Sequence, residues 1–341
     1  MATPAEIAAM RRALELARMP DAPLGPNPRV GCVLLDPGGA EIAQGYGRGA
    51  GSRHAEIDAL QAAGGRAIGA TAVVTLEPCN HTGRTGPCAE ALRAAGVARV
   101  VFGQADANPV ARGGAETLRA AGIEVEGGVL ADEARAVNPI WTFAVEMARP
   151  FVTWKFAATL DGRSAAADGT SRWITSPQAR GDVHRLRAEC DVIVVGTGTV
   201  LADDPALTVR DPDGRPLEPR FQPLRAVMGR REIPPHAAIR DGAADTVHLA
   251  TRDPHEALAT LFARDRQHVW LEGGPTLAAA FVRAGLVDRV VAYLAPALLG
   301  SGVAALGDAG LATVDDAIRL EFTDMTRIGP DIRLIARPEK G

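Results

Sequence analysis

The stretch ATAVVTLEPCNHTGRTGPCAEALRAAGVARVVFGQ, Ala70 to Gln104, decides the architecture of its half of the chain. It opens on an apolar run, ATAVVTL, with the length and β-branched content of a buried strand. It closes on a second such run, ARVVFGQ. Between them AEALRAAGV reads as a helix that stops at Gly96. Short β-rich runs alternating with helices imply a layered α/β sheet.

The theme extends both ways. Upstream, a helix pattern near residues 4–19 precedes VGCVLLD and EIAQGYG, which Pro37-Gly38-Gly39 splits into a hairpin. AEIDALQAAGG is a helix with glycine stops, and downstream AETLRAAGI and EVEGGV repeat helix then strand. In NPIWTFAVEMARPFVTWKF a helical pattern ends before Pro150, because the residue before proline avoids the helical region. FVTWKFAA then opens a second half, so two domains are expected, 1–147 and 148–341. Further strands are expected at CDVIVVG, LRAVM, TVHLA, HVWLEGG and DRVVAYLAP, with helices between several of them. RDPDGRPLEPRFQP reads as a Pro-rich surface loop.

A length of 341 residues also favours two domains over one core. Apolar residues make up 47% and charged residues 23%, and the net charge of −4 comes from interspersed signs. A nucleic-acid surface would favour a basic patch, so no nucleic-acid partner is expected. No apolar run reaches membrane-spanning length, and the N-terminal pattern is that of an amphipathic helix, not a signal peptide. Cys32, Cys79, Cys88 and Cys190 are too few and too scattered for a secreted disulfide framework. The cytoplasm is the expected compartment.

His54, in HAEIDAL, and the cysteines of EPC and GPC offer an imidazole and two thiolates, Cys79 and Cys88. Three such donors suit a zinc ion with one position left for water. Hydrolysis also needs a proton shuttle, and Glu56 stands two residues after His54. His54 and Cys88 precede helices, where thiolate is favoured, and Cys79 follows a strand. Taken singly, each would more often be structural. That remains the reading for Cys32, Cys190, His184, His236, His248, His255 and His268. Together, H-A-E followed by two P-C pairs matches the zinc deaminase pattern, in which the Glu is acid and base, not a ligand.

That pattern has two residues between its cysteines, whereas Asn80–Pro87 supplies eight here. With GPNPRVGCVLLD upstream and ANPVARGG downstream, TLEPCNHTGRTGPC resembles the deaminase domain of the bifunctional riboflavin-biosynthesis deaminase/reductase family. The resemblance continues through KFAATLDGRSA, SRWITSPQARGDVHRLRAECDVI, TVLADDPALTVR, LEGGPTLAAAFVRAGLVD and YLAPALLG, over nearly the whole chain. It implies a cytidine-deaminase-like αβα domain followed by a dihydrofolate-reductase-like α/β domain. It implies one zinc ion per chain, NADPH, and phosphorylated pyrimidine substrates. The first domain would deaminate 2,5-diamino-6-(ribosylamino)-4(3H)-pyrimidinone 5′-phosphate, with Glu56 moving the protons. Asn27, Arg84, Asp106 and Asn108 match its substrate positions; without the resemblance, Asn27 and Asn108 equally suit turns beside proline. One departure is Gly47, where many members carry a substrate-contacting His.

In the second half VIVVGTGTVL is a strand with a Gly-rich turn, but Leu201 replaces the third glycine of a dinucleotide fingerprint. Gly273-Gly274-Pro275 after HVWLE suits either phosphate approach to a helix start or an ordinary loop. The resemblance implies reduction of the ribosyl group of 5-amino-6-(5-phosphoribosylamino)uracil to ribityl. The cofactor would contact Ala157, Trp173, Thr199, Asp203, Gly274, Pro275 and Thr276. Substrate would contact Ser171, Arg187, Leu207, Arg210 and Glu272, with the two arginines suiting phosphate. Lys155, Asp203 and Glu272 are candidates for the proton donor. Where many members place an aspartate, AVMGRR has Gly229, and Arg230 or Arg231 could meet a 2′-phosphate.

A cytidine or tRNA-adenosine deaminase is the nearest enzymatic rival, opposed by the cysteine spacing and the motifs of the second half. A structural zinc module would need a fourth ligand, for which His81 is close in sequence. The resemblance also implies a homodimer or homotetramer, with the reductase domain as contact.

Overall fold

The computed structural model of the chain describes residues 1–19, 25–49, 51–81 and 86–339. They divide into two compact units, Met1–Ala148 and Arg149–Gly341.

The first unit begins with α1 (Pro4–Ala17), capped reciprocally by Thr3 and Glu6 at 3.2 and 2.7 Å. Strands β1 (Gly31–Leu35) and β2 (Glu41–Tyr46) form the expected hairpin. Then come α2 (Ala55–Ala63), β3 (Thr71–Leu76), α3 (Cys88–Ala94), β4 (Arg99–Gln104) and α4 (Gly114–Ala120). β5 (Glu124–Gly127), α5 (Ala131–Arg135) and α6 (Pro139–Met147) complete it. Among the described residues the sheet order is β2-β1-β3-β4-β5, with β3, β4 and β5 parallel and β1 antiparallel to both neighbours.

Alternate side chains of β1 sort to opposite faces. Cys32 and Leu34 meet Ala59 of α2, Leu92 of α3 and Leu118 of α4. Val33 and Leu35 meet Met10 and Leu14 of α1 and Ala134 of α5. A strand buried on both faces needs an unbroken apolar run, which is why this one reads so clearly. Glycine brings the helices close. A Cβ on Gly31 would lie 2.0 Å from the Ala13 carbonyl oxygen, and one on Gly45 would lie 2.5 Å from that of Ala55.

The second unit begins with β6 (Phe151–Thr159), β7 (Arg163–Ala165), α7 (Pro177–Arg187), β8 (Val192–Gly196) and α8 (Thr197–Asp203). It continues with β9 (Leu224–Met228), β10 (Thr246–Leu249), α9 (Pro254–Phe262), β11 (His268–Leu271) and α10 (Pro275–Arg283). It ends with β12 (Arg289–Ala295), β13 (Val303–Ala304), β14 (Leu320–Ile328) and β15 (Asp331–Pro338). Among the described residues the main sheet runs β10-β9-β8-β11-β6-β12-β15-β14. Neighbours are parallel from β10 to β12 and antiparallel from β12 to β14. Leu258 and Leu261 of α9 and Phe281 of α10 cover one face; Val183 and Leu186 of α7 and Val200 of α8 cover the other. The C-terminal ends of β8, β9 and β11 therefore lie along one edge, where their loops converge.

The reading of the sequence assigns nothing to 320–338, yet β14 and β15 form a long hairpin there. Leu320, Phe322, Met325 and Ile332 stay exposed while Ile328, Ile335 and Ala336 pack inward, so exposed and buried apolar residues mix and leave no clean alternation to read.

Candidate functional site

Three loop-and-helix junctions of the first unit meet at one point. His54 is the N-cap of α2, Cys79 lies on the loop after β3, and Cys88 is the first residue of α3. His54 Nδ1 lies 3.6 Å from Cys79 Sγ and 3.3 Å from Cys88 Sγ. One donor atom from each fits within 4.8 Å of the others. The Cys88 N–H points at Cys79 Sγ from 3.4 Å, as a helix start does toward a thiolate. The Cys88 thiol also hydrogen-bonds Cys79, which with His54 brings Cys79 down to about 4 despite burial. Glu56, in the first turn of α2, is buried, and burial pushes its carboxyl up to about 7. Among the described residues the group holds these three donors and His81 is not one of them, as suits a site with an open fourth position.

The loops around this point are stitched together by a carboxylate that sequence reasoning passed over. Buried Glu77 accepts from the backbone N–H of Asp106 at 3.2 Å, Gly113 at 3.3 Å and Ala115 at 3.0 Å. A charged residue ending a buried strand was its only signal. Asp106 is buried, and burial raises its carboxyl to about 6 although it accepts from the Asn108 N–H at 2.8 Å. Asn108 in turn accepts from the Val110 N–H at 3.1 Å, so it does turn work. Asn27 is half-buried on a segment held by Asn138, whose amide bonds both backbone groups of Arg29 at 2.8 Å. At Gly47, among the described residues, a Cβ would meet the Val30 carbonyl oxygen at 3.9 Å, so a side chain there would have room. Arg84 lies outside the described residues.

The second unit gathers a different cluster. Glu272, just after β11, takes Arg187 Nε at 3.0 Å, a second Arg187 bond through Nη2, and the indole N–H of Trp270 at 2.5 Å. Burial alone would raise the Glu272 carboxyl, but Arg187 and Lys155 bring it down to about 2. Burial lowers the Lys155 ammonium, Glu272 opposes this, and Arg187 adds to it. Arg187 also donates to the Thr208 carbonyl at 3.1 Å, so its fork is committed within the protein rather than held open for phosphate. His184, expected to be merely structural or surface, sits beside Arg187 and Arg210; burial and then Arg187 bring its imidazole down to about 4.

Other expected positions fall nearby or stand apart. Ala157 lies two residues after Lys155 on β6 and so shares its face. Leu207 is buried in a left-handed conformation at φ 50°. Arg210 Nη1 donates to the Gly214 carbonyl at 2.9 Å. Thr199 meets the loop after β11, because a Cβ on Gly274 would lie 3.9 Å from Thr199 Oγ1. Pro275 and Thr276 open α10. Trp173 is exposed beneath the Arg180 guanidinium, 4.3 Å from its ring centre. Ser171 is half-buried and Asp203 exposed.

Two family models match the chain. Residues 4–104 match the cytidine and deoxycytidylate deaminase zinc-binding region, and residues 150–334 match the RibD C-terminal domain. The riboflavin biosynthesis protein RibD of Mycobacterium tuberculosis is 51% identical, over 91% of this chain and 90% of its own. The chain belongs to the RibD family.

Solved RibD structures agree with that placement. RibD of Acinetobacter baumannii superposes with a TM-score of 0.89 at 37% identity, covering 98% of this chain and 99% of its own. A protein from Thermotoga maritima, described as a diaminohydroxyphosphoribosylaminopyrimidine deaminase/5-amino-6-(5-phosphoribosylamino)uracil reductase, gives 0.83 at 31% identity with the same coverage. As a RibD family member the chain is a bifunctional enzyme of riboflavin biosynthesis. A cytidine-deaminase-like zinc-binding domain precedes a dihydrofolate-reductase-like, NADPH-using domain.

The residues present fit both groups. One imidazole and two thiols, gathered at two helix starts, form a zinc donor set of the open kind. In the RibD C-terminal domain, glycines at 196, 198, 273 and 274 bare the backbone of two adjacent turns where a dinucleotide's phosphates could approach.

Proposed function

We propose that the first unit hydrolytically deaminates 2,5-diamino-6-(ribosylamino)-4(3H)-pyrimidinone 5′-phosphate. The second unit then reduces the ribosyl group of the product to ribityl with NADPH. The activities named for the Thermotoga relative support this order. The observation that carries it is the convergence of His54 Nδ1, Cys79 Sγ and Cys88 Sγ beside the buried Glu56.

His54, Cys79 and Cys88 hold one zinc ion per chain, which when bound supplies Lewis-acid activation of water. Glu56 carries the proton from the attacking water to the ring nitrogen and then to the leaving ammonia. Asn27, Arg84, Asp106 and Asn108 orient the pyrimidine and its ribosyl phosphate. Glu77 acts through them, by holding the Asp106–Ala115 loop against the Cys79 loop.

In the second unit the cofactor supplies hydride when bound. Ala157, Trp173, Thr199, Asp203 and the Gly274–Thr276 turn hold it. Ser171, Arg187, Leu207, Arg210 and Glu272 line the substrate position. Ionised Glu272 makes a poor acid and Asp203 is exposed, so Lys155 is the proton donor. Arg187 positions Glu272, and Arg210 is left to meet phosphate.

The enzyme acts in the cytoplasm as a homodimer or homotetramer on small phosphorylated pyrimidines, away from nucleic acid and membrane. Among the described residues no helix is long and apolar enough to cross a membrane. The exposed apolar side chains of β14 and β15 suit a contact between reductase units.

A split assay tests the reading. The purified protein receives the diaminopyrimidinone ribosyl phosphate without and then with NADPH, and products are followed by mass. The mass change of an amino-to-oxo exchange is expected first, and the gain of two hydrogens only with NADPH. Unchanged substrate, with zinc confirmed bound, would overturn the assignment.

A further inference from the structure

We propose that Arg180 is a positioning residue, whose guanidinium holds one face of the Trp173 indole so that the other face stacks on the nicotinamide ring of the bound cofactor. This rests on the reductase reading above and names a residue that reading leaves out.

Trp173 stands apart from the other tryptophans. Trp141, Trp154 and Trp270 are at most 7% exposed, whereas Trp173 is 69% exposed. A side chain with so much apolar surface in water adds little to the core. It is held in place all the same. The Arg180 guanidinium lies 4.3 Å from its ring centre, and that of Arg172 lies 5.9 Å away. A guanidinium stacks flat on an aromatic face and is drawn to the negative charge there.

Arg180 is itself fixed. It stands near the start of α7, where Ser176 caps the helix by accepting from the Ala179 N–H at 3.2 Å. Its Nη1 donates to the Thr175 carbonyl at 2.8 Å, within the loop that carries Trp173. Asp182, the next acid along the helix, pairs with Arg185 and Arg333 instead, which leaves the Arg180 charge to the ring.

The placement points toward the reductase cluster. Arg180 and Arg187 are about two helical turns apart on α7 and so share a side of it. From that side Arg187 reaches Glu272. The Trp173 loop is also tied to α8, because Arg172 Nη2 donates to the Asp203 carbonyl at the end of that helix, which carries Thr199. Hydride passes only between groups in contact, so the nicotinamide must lie beside the substrate position. An indole face held there meets a flat heteroaromatic ring well.

Acrylamide quenching of tryptophan fluorescence in the full-length protein reads Trp173, since the other three tryptophans are buried. In the wild type NADP⁺ is expected to shield Trp173 from the quencher. Adenosine 2′,5′-bisphosphate, which lacks the nicotinamide, is not. Arg180→Ala should weaken the shielding and raise KM for NADPH about two- to fivefold, the size of an exposed cation–π contact. Arg180→Lys, which keeps a cation and loses the flat fork, should recover part of both. Arg180→Gln keeps a donor for Thr175 without the charge, and serves the same comparison if the alanine variant does not fold. In a double-mutant cycle with Trp173→Leu, removing Arg180 as well should add nothing, because Arg180 acts through the indole. Additive losses in that cycle, shielding that Arg180→Ala leaves unchanged, or equal shielding by the bisphosphate would overturn the inference and leave the reductase reading intact. A wild-type protein that binds no NADP⁺ by calorimetry would overturn that reading, and the inference with it.

Discussion

Two buried carboxylates near the three donor atoms do different work. Glu56 stands at the start of α2 beside the thiol of Cys88, while Glu77 faces backbone N–H groups. Glu56→Gln keeps the shape and removes the proton carrier. Metal analysis should find zinc retained while deamination falls about 10²–10⁴-fold. Zinc loss in that variant would put Glu56 in the coordination sphere instead. Glu77→Gln replaces an acceptor with an amide group, leaving a buried N–H facing a donor. It should cost about 1–3 kcal/mol by urea unfolding and raise KM for the pyrimidine more than it lowers kcat. In the other unit, burial and then Arg289 hold the His268 imidazole neutral down to about 3. An unfolded chain takes up that proton near its ordinary value of about 6.5. Stability is therefore fully present above about 6.5 and falls as pH drops toward 3, by at most about 1.4 kcal/mol per pH unit for this group. Urea unfolding at neutral and mildly acid pH measures the slope, and His268→Asn should flatten it. The sequence marks His54, Cys79, Cys88 and Glu56 because metal chemistry demands rare types at short spacings. It does not mark Glu77 or His184, whose neighbours arrive from distant segments.

At the scale of elements, close approach rather than propensity fixes the geometry around the metal-capable group. Gly114 opens α4, and a Cβ there would lie 1.8 Å from the Pro78 carbonyl oxygen, next to Cys79. Gly114→Ala must push α4 away from the Cys79 loop. It should destabilise the first unit by about 1–3 kcal/mol or more and weaken zinc binding, measured by thermal unfolding and by competition with a chelator. An unaltered zinc affinity would show that α4 does not hold the loop. Strands β1, β3, β4, β8, β9 and β11 were legible because each is buried and reads as an apolar run. The β14–β15 hairpin was not, since its apolar residues are divided between exposed positions such as Phe322 and Met325 and inward ones such as Ile335 and Ala336, with no clean periodic contrast.

At the scale of the whole molecule, the chain comprises two units with separate cores. Zinc held by the first unit stabilises only that unit, because binding energy adds to the fold that forms the site. Calorimetry of the full-length protein should show two transitions, of which metal removal lowers one. A shift of both by the same amount would mean that the units unfold together. Hydrophobic periodicity and short motifs mark a layered α/β chain and a zinc donor set, since these depend on residue types close together in sequence, whereas the two successive chemistries came from the resemblance to the family over nearly the whole chain. The pairing of Arg187 with Glu272, the clasp of Glu77 on the loop after β4 and the tie of Arg172 to the Asp203 carbonyl join residues 85, 38 and 31 positions apart. Only the packed structure decides them, because burial and charge at one residue depend on which remote segment the sheet order brings beside it.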